Sequence, residues 1–190
     1  KIYQTNTSGE CFIIDLKNSQ DVTVMFYDGY VVKVFKDNLD KGKVRNPYHP
    51  NNLTKGVGVY YRTPNHFTKE GIKVRNLWYN MLQRCYCDKF HQRQTSYEDI
   101  VVCDSWLTYA VFENDILSMK NFQRFMQDGW ELDKDLIKIG SNIYSKDTCC
   151  FIPKSLNSKF SQIVKAFEED VGVYLLPYGE YRVKVQGNGK

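Results

Sequence analysis

The sequence predicts an α+β chain, with β-structure at its N-terminal end and helices interleaved with short strands after it. Three observations predict this. Apolar runs of strand length flank an Asp28-Gly29 pair, the dipeptide of tight hairpin turns. Further on, apolar residues recur at helical spacing in two places, 72–86 and 106–119. Aromatic residues make up 15% of the chain, with 14 Tyr, and these residue types favour pleated surfaces. At 190 residues the chain is long enough to bury a core without metal or disulfide staples. Its 42% hydrophobic and 25% charged content excludes a disordered or collagen-like chain. There is no run of about 18 apolar residues, so no membrane span is expected. The start has no charged-then-apolar leader, and the expected location is the cytoplasm.

Residues 1–61 read as a small antiparallel β-domain. Cys11–Leu16, Val22–Tyr27 and Tyr30–Phe35 form a three-stranded meander, and Lys41-Gly42-Lys43 and Asn46–Pro50 break it. Gly56–Tyr61 is read as a last strand. In the helix at 72–86, Trp78, Met81, Leu82 and Cys85 make one apolar stripe. A polar loop leads to a strand at 97–103. Asp104 or Ser105 then caps a helix carrying Trp106, Tyr109, Phe112 and Ile116 on its apolar face. Short strands follow at 130–133 and 148–152, separated by a turn at Ile139–Asn142 and by Ile143-Tyr144. Pro153 suits the first turn of a helix that buries Leu156, Phe160, Ile163, Val164 and Phe167. Tyr181–Val185 is a strand, and Gly187-Asn188-Gly189 reads as a hairpin turn with the chain stopping before a second strand. Trp78, Trp106 and Phe112 are expected in the core, whereas Tyr30 and Tyr48 are the candidates for exposed aromatics.

The net charge of +4 is mild, but its distribution is polarised. Between 62 and 93, Arg62, Lys69, Lys73, Arg75, Arg84, Lys89 and Arg93 face only Glu70 and Asp88. Between 94 and 120, Glu98, Asp99, Asp104, Glu113 and Asp115 face only Lys120. A chain charged in this way can offer one face to a phosphate backbone; a mixed, solvated surface is the plainer alternative. The six cysteines (11, 85, 87, 103, 149 and 150) include no C-x-x-C and lack zinc-knuckle spacing, so they are read as unpaired and most of them as small core residues.

The stretch Leu77–Phe160 resembles the phage-type HNH homing-endonuclease-like family. Leu77-Trp78-x-x-Met81-x-x-Arg84-Cys85 resembles its W-x-x-M-x-x-R-C helix. Tyr97–Trp106 with Phe112 resembles its V-C-x-x-W…F segment. Leu132-Asp133-Lys134-Asp135 resembles L-D-[RK]-D, Tyr144–Cys149 resembles Y-S-x-x-[NT]-C, and Pro153–Asn157 resembles the closing helix. Residues 9–61, through Gly29-Tyr30, Lys41–Val44, Pro50 and Gly56-Val57-Gly58, resemble the β-domain that often precedes this module. Residues 174–190 resemble the opening strand of the ethylene-response-type DNA-binding domain.

The resemblance implies three parts: the β-domain at 1–61, a helix-flanked ββα (His-Me finger, HNH-like) module at 62–170, and the truncated start of a β-hairpin element at 171–190. It implies a divalent cation, Mg²⁺ or Mn²⁺, wherever catalysis survives. Asp133 falls on the first metal-ligand position and Asn157 on the helix position of the last ligand. Lys134 falls where the family has its general-base His, and Thr148 falls on the Asn. Lysine is a poor base at neutral pH, and threonine lacks the two-ended amide of asparagine. The expectation is therefore a phage DNA-binding protein with a degenerate nuclease site. An active metal-dependent nicking enzyme, with His91 folding back as base, is one alternative. A non-catalytic phage protein that binds and inhibits a host protein is another. Duplex DNA is the expected partner, contacted by the seven cations of 62–93 and by Lys134, Lys138, Lys146 and Lys154.

Overall fold

A glycine in left-handed conformation closes the hairpin between the strands at Asp21–Phe26 and Val31–Val34. Gly29 has φ +84°, and Phe26 N–H donates to the Tyr30 carbonyl across a three-residue loop. Asp28 Oδ1 accepts from Tyr30 N–H. Only glycine reaches this φ without steric cost. The computed structural model describes residues 1–138 and 140–159, and the backbone of 172–175 and 181–184. The fold is mixed α+β. The chain divides into two compact units, Lys1–Asn114 and Asp115–Lys190.

In the first unit, β1 (Ile2–Gln4), β2 (Glu10–Asn18), β3 (Asp21–Phe26) and β4 (Val31–Val34) form one antiparallel sheet in the order β1-β2-β3-β4. The expected meander is β2-β3-β4. β1 extends it by one strand, which three residues without apolar alternation do not announce. Ile13 pairs with Val24 and Cys11 with Phe26, so these side chains share the inner face. Cys11, Val22, Val24, Phe26, Leu39 and Val44 form its buried core, closed by Tyr3, Ile13, Tyr30, Val32 and Val34. Leu39 comes from a short helix, α1 (Lys36–Asp40), that the apolar pattern does not signal.

Gly56–Tyr61 is not a strand. Thr54 and Gly58 form an isolated bridge, and Val59 bridges to Thr108, with Val59 N–H donating to Leu107 and Tyr109 N–H donating to Val59. The glycine at 58 is required by proximity, since a Cβ there would overlap Leu82 Cδ1 and lie 2.9 Å from the Trp78 ring. The helix α2 (Lys69–Tyr86) begins three residues before the expected start at 72, where Thr68 Oγ1 accepts from Gly71 N–H at 3.0 Å. Val74, Trp78, Met81, Leu82 and Cys85 are buried along it. Trp78 donates Nε1–H to the Trp106 carbonyl at 2.7 Å, and its ring meets those of Tyr60 and Tyr109. Trp106 and Phe112 are fully buried edge to face at 4.9 Å.

After α2 come α3 (Asp88–His91), a 3-10 turn at Thr95–Tyr97 and a two-residue strand, β5 (Val101–Val102). The expected strand at 97–103 is shortened to those two residues. The helix expected at 106–119 is a 3-10 turn (Asp104–Leu107) followed by α4 (Tyr109–Ser118).

The second unit holds α5 (Phe122–Asp128), β6 (Glu131–Asp133), β7 (Ile143–Tyr144) and β8 (Cys150–Ile152). β6 and β8 pair antiparallel, Leu132 opposite Phe151 and Asp133 opposite Cys150. Phe151 stacks on Phe125 at 4.8 Å and approaches Phe122 at 6.4 Å, which seats α5 on the pair. Residues 154–159 are helical after Pro153. Tyr181–Lys184 is a strand as expected, but its partner precedes it: β10 (Tyr181–Lys184) pairs with β9 (Gly172–Leu175). Ile139, the helix positions from Phe160 to Phe167, Val185 and the Gly187–Gly189 turn lie outside the described residues.

Candidate functional site

The L-D-K-D segment sits at the end of β6. The ladder buries Asp133 beside β8, and the chain then turns sharply. Asp133 Oδ1 accepts from the N–H groups of Asp135 (3.1 Å) and Leu136 (2.8 Å), a side-chain-to-backbone turn typical of aspartate. Burial raises the Asp133 carboxyl above its ordinary range, more than these two donors lower it. Lys134 is also buried, 8% exposed. Its Nζ donates to the Ser141 carbonyl at 2.8 Å and to Asp135 Oδ1 at 2.7 Å. Both partners are acceptors, so this amine serves as a donor that holds the loop from β6 to Ser141.

Thr148 closes the next turn. Its Oγ1 donates to the Ile143 carbonyl at 2.7 Å and accepts from Ser145 N–H at 3.1 Å. Cys149 N–H donates to the Ser145 carbonyl. The Cys149 thiol is buried, and desolvation pushes its pKa up to about 12. Asn157, in the helix at 154–159, donates Nδ2–H to Glu131 Oε2 at 2.8 Å. Glu131 and Asp133 share one face of β6 by the period of a strand.

Thus Asp133, Lys134, Thr148 and Asn157 all lie in the segment built from β6, β8 and the following helix, and each has a hydrogen-bonding partner. Glu131, Ser141 and Ser145 are the partners that sequence reasoning did not name. For Glu131 the available signal is its i, i+2 relation to Asp133. Ser141 acts through its backbone carbonyl, which no residue type reveals.

A divalent cation such as Mg²⁺ takes several oxygen ligands in a nearly fixed geometry. Here Asp133 Oδ1 is committed to two backbone N–H groups, the Asn157 amide to Glu131, and a lysine stands beside them. This donor set does not fit a hard cation. Among the described residues no group of three or more His, Cys, Asp or Glu could hold a metal ion.

The basic residues of 62–93 divide by environment. Lys69, Lys89 and Arg93 are exposed. The Arg62 guanidinium lies over the Phe67 ring at 5.7 Å. Arg75 is drawn inward: its Nη1 donates to His66 Nδ1 at 3.0 Å, and Tyr60 OH meets the same nitrogen at 2.5 Å. Burial and the Arg75 and Arg62 charges lower the His66 pKa. Lys73 and Arg84, on α2, are half-buried. His91 donates Nε2–H to the Arg84 carbonyl at 2.7 Å and so terminates α2. In the second unit Lys138 and Lys154 are exposed, and Lys146 pairs with Asp115 at 2.8 Å. Tyr48 is 50% exposed, whereas Tyr30 is half-buried beneath it with ring centroids 5.5 Å apart. Among the described residues the most open aromatics are Phe67 (78%) and Tyr27 (68%).

No family model, no curated protein and no solved structure matches this chain. All six cysteines are free. Among the described residues no helix is long and apolar enough to cross a membrane.

Proposed function

We propose that the chain is a phage-type DNA-binding protein related to HNH homing endonucleases, with its nuclease centre converted into structural cross-links. One observation carries this reading. Lys134, which the resemblance puts at the general-base position, is buried and bonded to Asp135 and the Ser141 carbonyl. A group that must take a proton from water needs a free lone pair aimed at it. The antiparallel pair of β6 and β8 followed by the helix at 154–159 supports kinship with the ββα module. Thr148, in place of asparagine, keeps the turn-stabilising half of that residue's role. DNA affinity then comes from phosphate contacts by exposed cations, chiefly Arg62, Lys69, Lys89 and Arg93.

The test has two arms. Plasmid nicking with Mg²⁺ and with Mn²⁺, beside an Asp133→Ala control, should give no cleavage, or slow cleavage with Mn²⁺ alone. Loss of a general base costs about 10²–10⁴-fold. Robust Mg²⁺-dependent nicking that Asp133→Ala abolishes overturns the degenerate site. In the second arm, Lys69→Glu, Lys89→Glu and Arg93→Glu should each weaken duplex binding alike for all sequences and flatten its salt dependence. Unchanged affinity at low salt overturns DNA binding.

A further inference from the structure

We infer that the open edge of β4 is a docking groove for an acidic, extended peptide segment, which joins the sheet as a fifth strand. This does not rest on the DNA-binding reading.

β4 is the terminal strand of the sheet. Along an antiparallel pair, residues alternate between bonding to the neighbour and pointing away from it. Phe26 N–H donates to Tyr30 C=O, which fixes the phase. Tyr30, Val32 and Val34 therefore bond towards β3, and Val31, Lys33 and Phe35 point their backbone groups outwards. The Phe35 carbonyl is used by Asn38 and Leu39 at the start of α1. Among the described residues, no backbone partner meets the Lys33 N–H, the Lys33 carbonyl or the Phe35 N–H on that side. They form a short template for an added strand.

A groove of about 600 Å³ beside the edge is lined by residues 32–35 and 43–45. Val32 and Val34, half-buried against the sheet's core, give the groove its apolar lining, with Val44 buried behind them, and Phe35 is 57% exposed. Lys33, Lys43 and Arg45 line it against a single carboxylate, Asp21, which Lys33 already approaches at 3.2 Å. The surplus charge is positive and therefore complements acidic side chains. Lysine on an edge strand also opposes pairing with a second copy of the same edge. A nucleic-acid strand would leave the outward β4 amide and carbonyl groups unused, which favours a peptide.

The full chain is titrated into a fluorescein-labelled hexapeptide of alternating Glu and Val, read by fluorescence anisotropy. A Lys-Val peptide of the same length is the control. The Glu-Val peptide should bind saturably and the Lys-Val peptide should not. Lys43→Glu should weaken binding about ten-fold. Lys33→Pro removes an outward N–H that no ladder bond uses, as edge strands tolerate, and should weaken binding at least as much. In the unmutated protein, hydrogen exchange at the Lys33 and Phe35 amides should slow when the peptide is added. No saturable binding at about 1 mM peptide overturns the inference. So does binding without protection of those two amides, and so does full displacement of the peptide by a short DNA duplex, which would mark an anion surface instead.

Discussion

Lys134 donates Nζ to the carbonyl of Ser141 at 2.8 Å, tying the end of β6 to a residue seven positions on. The ammonium end is buried there, and among the described residues Asp135 supplies the only carboxylate it contacts. Replacing it by methionine preserves much of the volume but strands the Ser141 carbonyl. Lys134→Met should therefore cost about 1–3 kcal/mol of stability, the usual penalty for an orphaned buried acceptor. Urea unfolding checks this. An unchanged midpoint would show that the lysine is an incidental occupant rather than a clamp.

Asp133 gives a prediction whose sign follows from burial. Its folded-state pKa is raised, so the native state holds this proton more readily than the unfolded chain does. The stabilisation is full below the unfolded carboxylate pKa and is lost as pH rises through the folded value. At neutral pH the charge is a cost that the two backbone donors offset in part. Asp133→Asn keeps Oδ1 for the Asp135 and Leu136 N–H groups and removes the charge. It should unfold no more easily at neutral pH and flatten the acid side of the stability curve. Asp133→Ala loses the acceptor and should cost about 1–3 kcal/mol. Thermal melts across about pH 3 to 7 separate the two. Asp133→Asn melting well below the native protein at neutral pH contradicts the assignment.

How far the sequence carries depends on what each element needs. The hairpin at Asp28-Gly29 and the stripe from Trp78 to Cys85 are legible because side-chain type and period determine them. β1 is not, since its pairing with β2 is made by backbone groups of an undistinguished tripeptide. Gly56-Val57-Gly58 misleads for a related reason: the glycine at 58 is there for close approach to Leu82 and Trp78, not for a strand. At the site, sequence order brings out Asp133, Lys134, Thr148 and Asn157 together, but not that Lys134 is held by a main-chain oxygen. That bond depends on loop geometry, which spacing does not encode.

Gly58 can be tested directly. A Cβ at this position collides with the side chains of Leu82 and Trp78, both fully buried on α2. The neighbours are packed and cannot simply rotate away. Gly58→Ala should cost about 1–3 kcal/mol through overpacking. The Trp78 indole, hydrogen-bonded to the Trp106 carbonyl, gives an optical readout of the shift. A stability equal to the parent protein would mean that residues 54–59 move off α2 without penalty.

The buried thiol beside Asp133 makes the last test. Cys149 is 2% exposed, and its pKa is pushed up to about 12 by desolvation first, with the Asp133 carboxylate adding to it. The thiolate is the reactive form, so at pH 8 Cys149 is held as the unreactive thiol. Cys87 and Cys103 are half-exposed and should consume an alkylating reagent first. Cys150 is half-buried, and its thiol is raised by burial and by Asp133, so it should lag behind them. Peptide mapping after timed alkylation of the native protein reads each site separately. Because Asp133 contributes to the Cys149 shift, Asp133→Asn should speed labelling of Cys149 modestly while leaving Cys87 unchanged. Cys149 reacting as fast as Cys87 in the parent protein would show that β8 does not seal the Asp133 turn from solvent, and the burial on which the Asp133 prediction rests would fall with it.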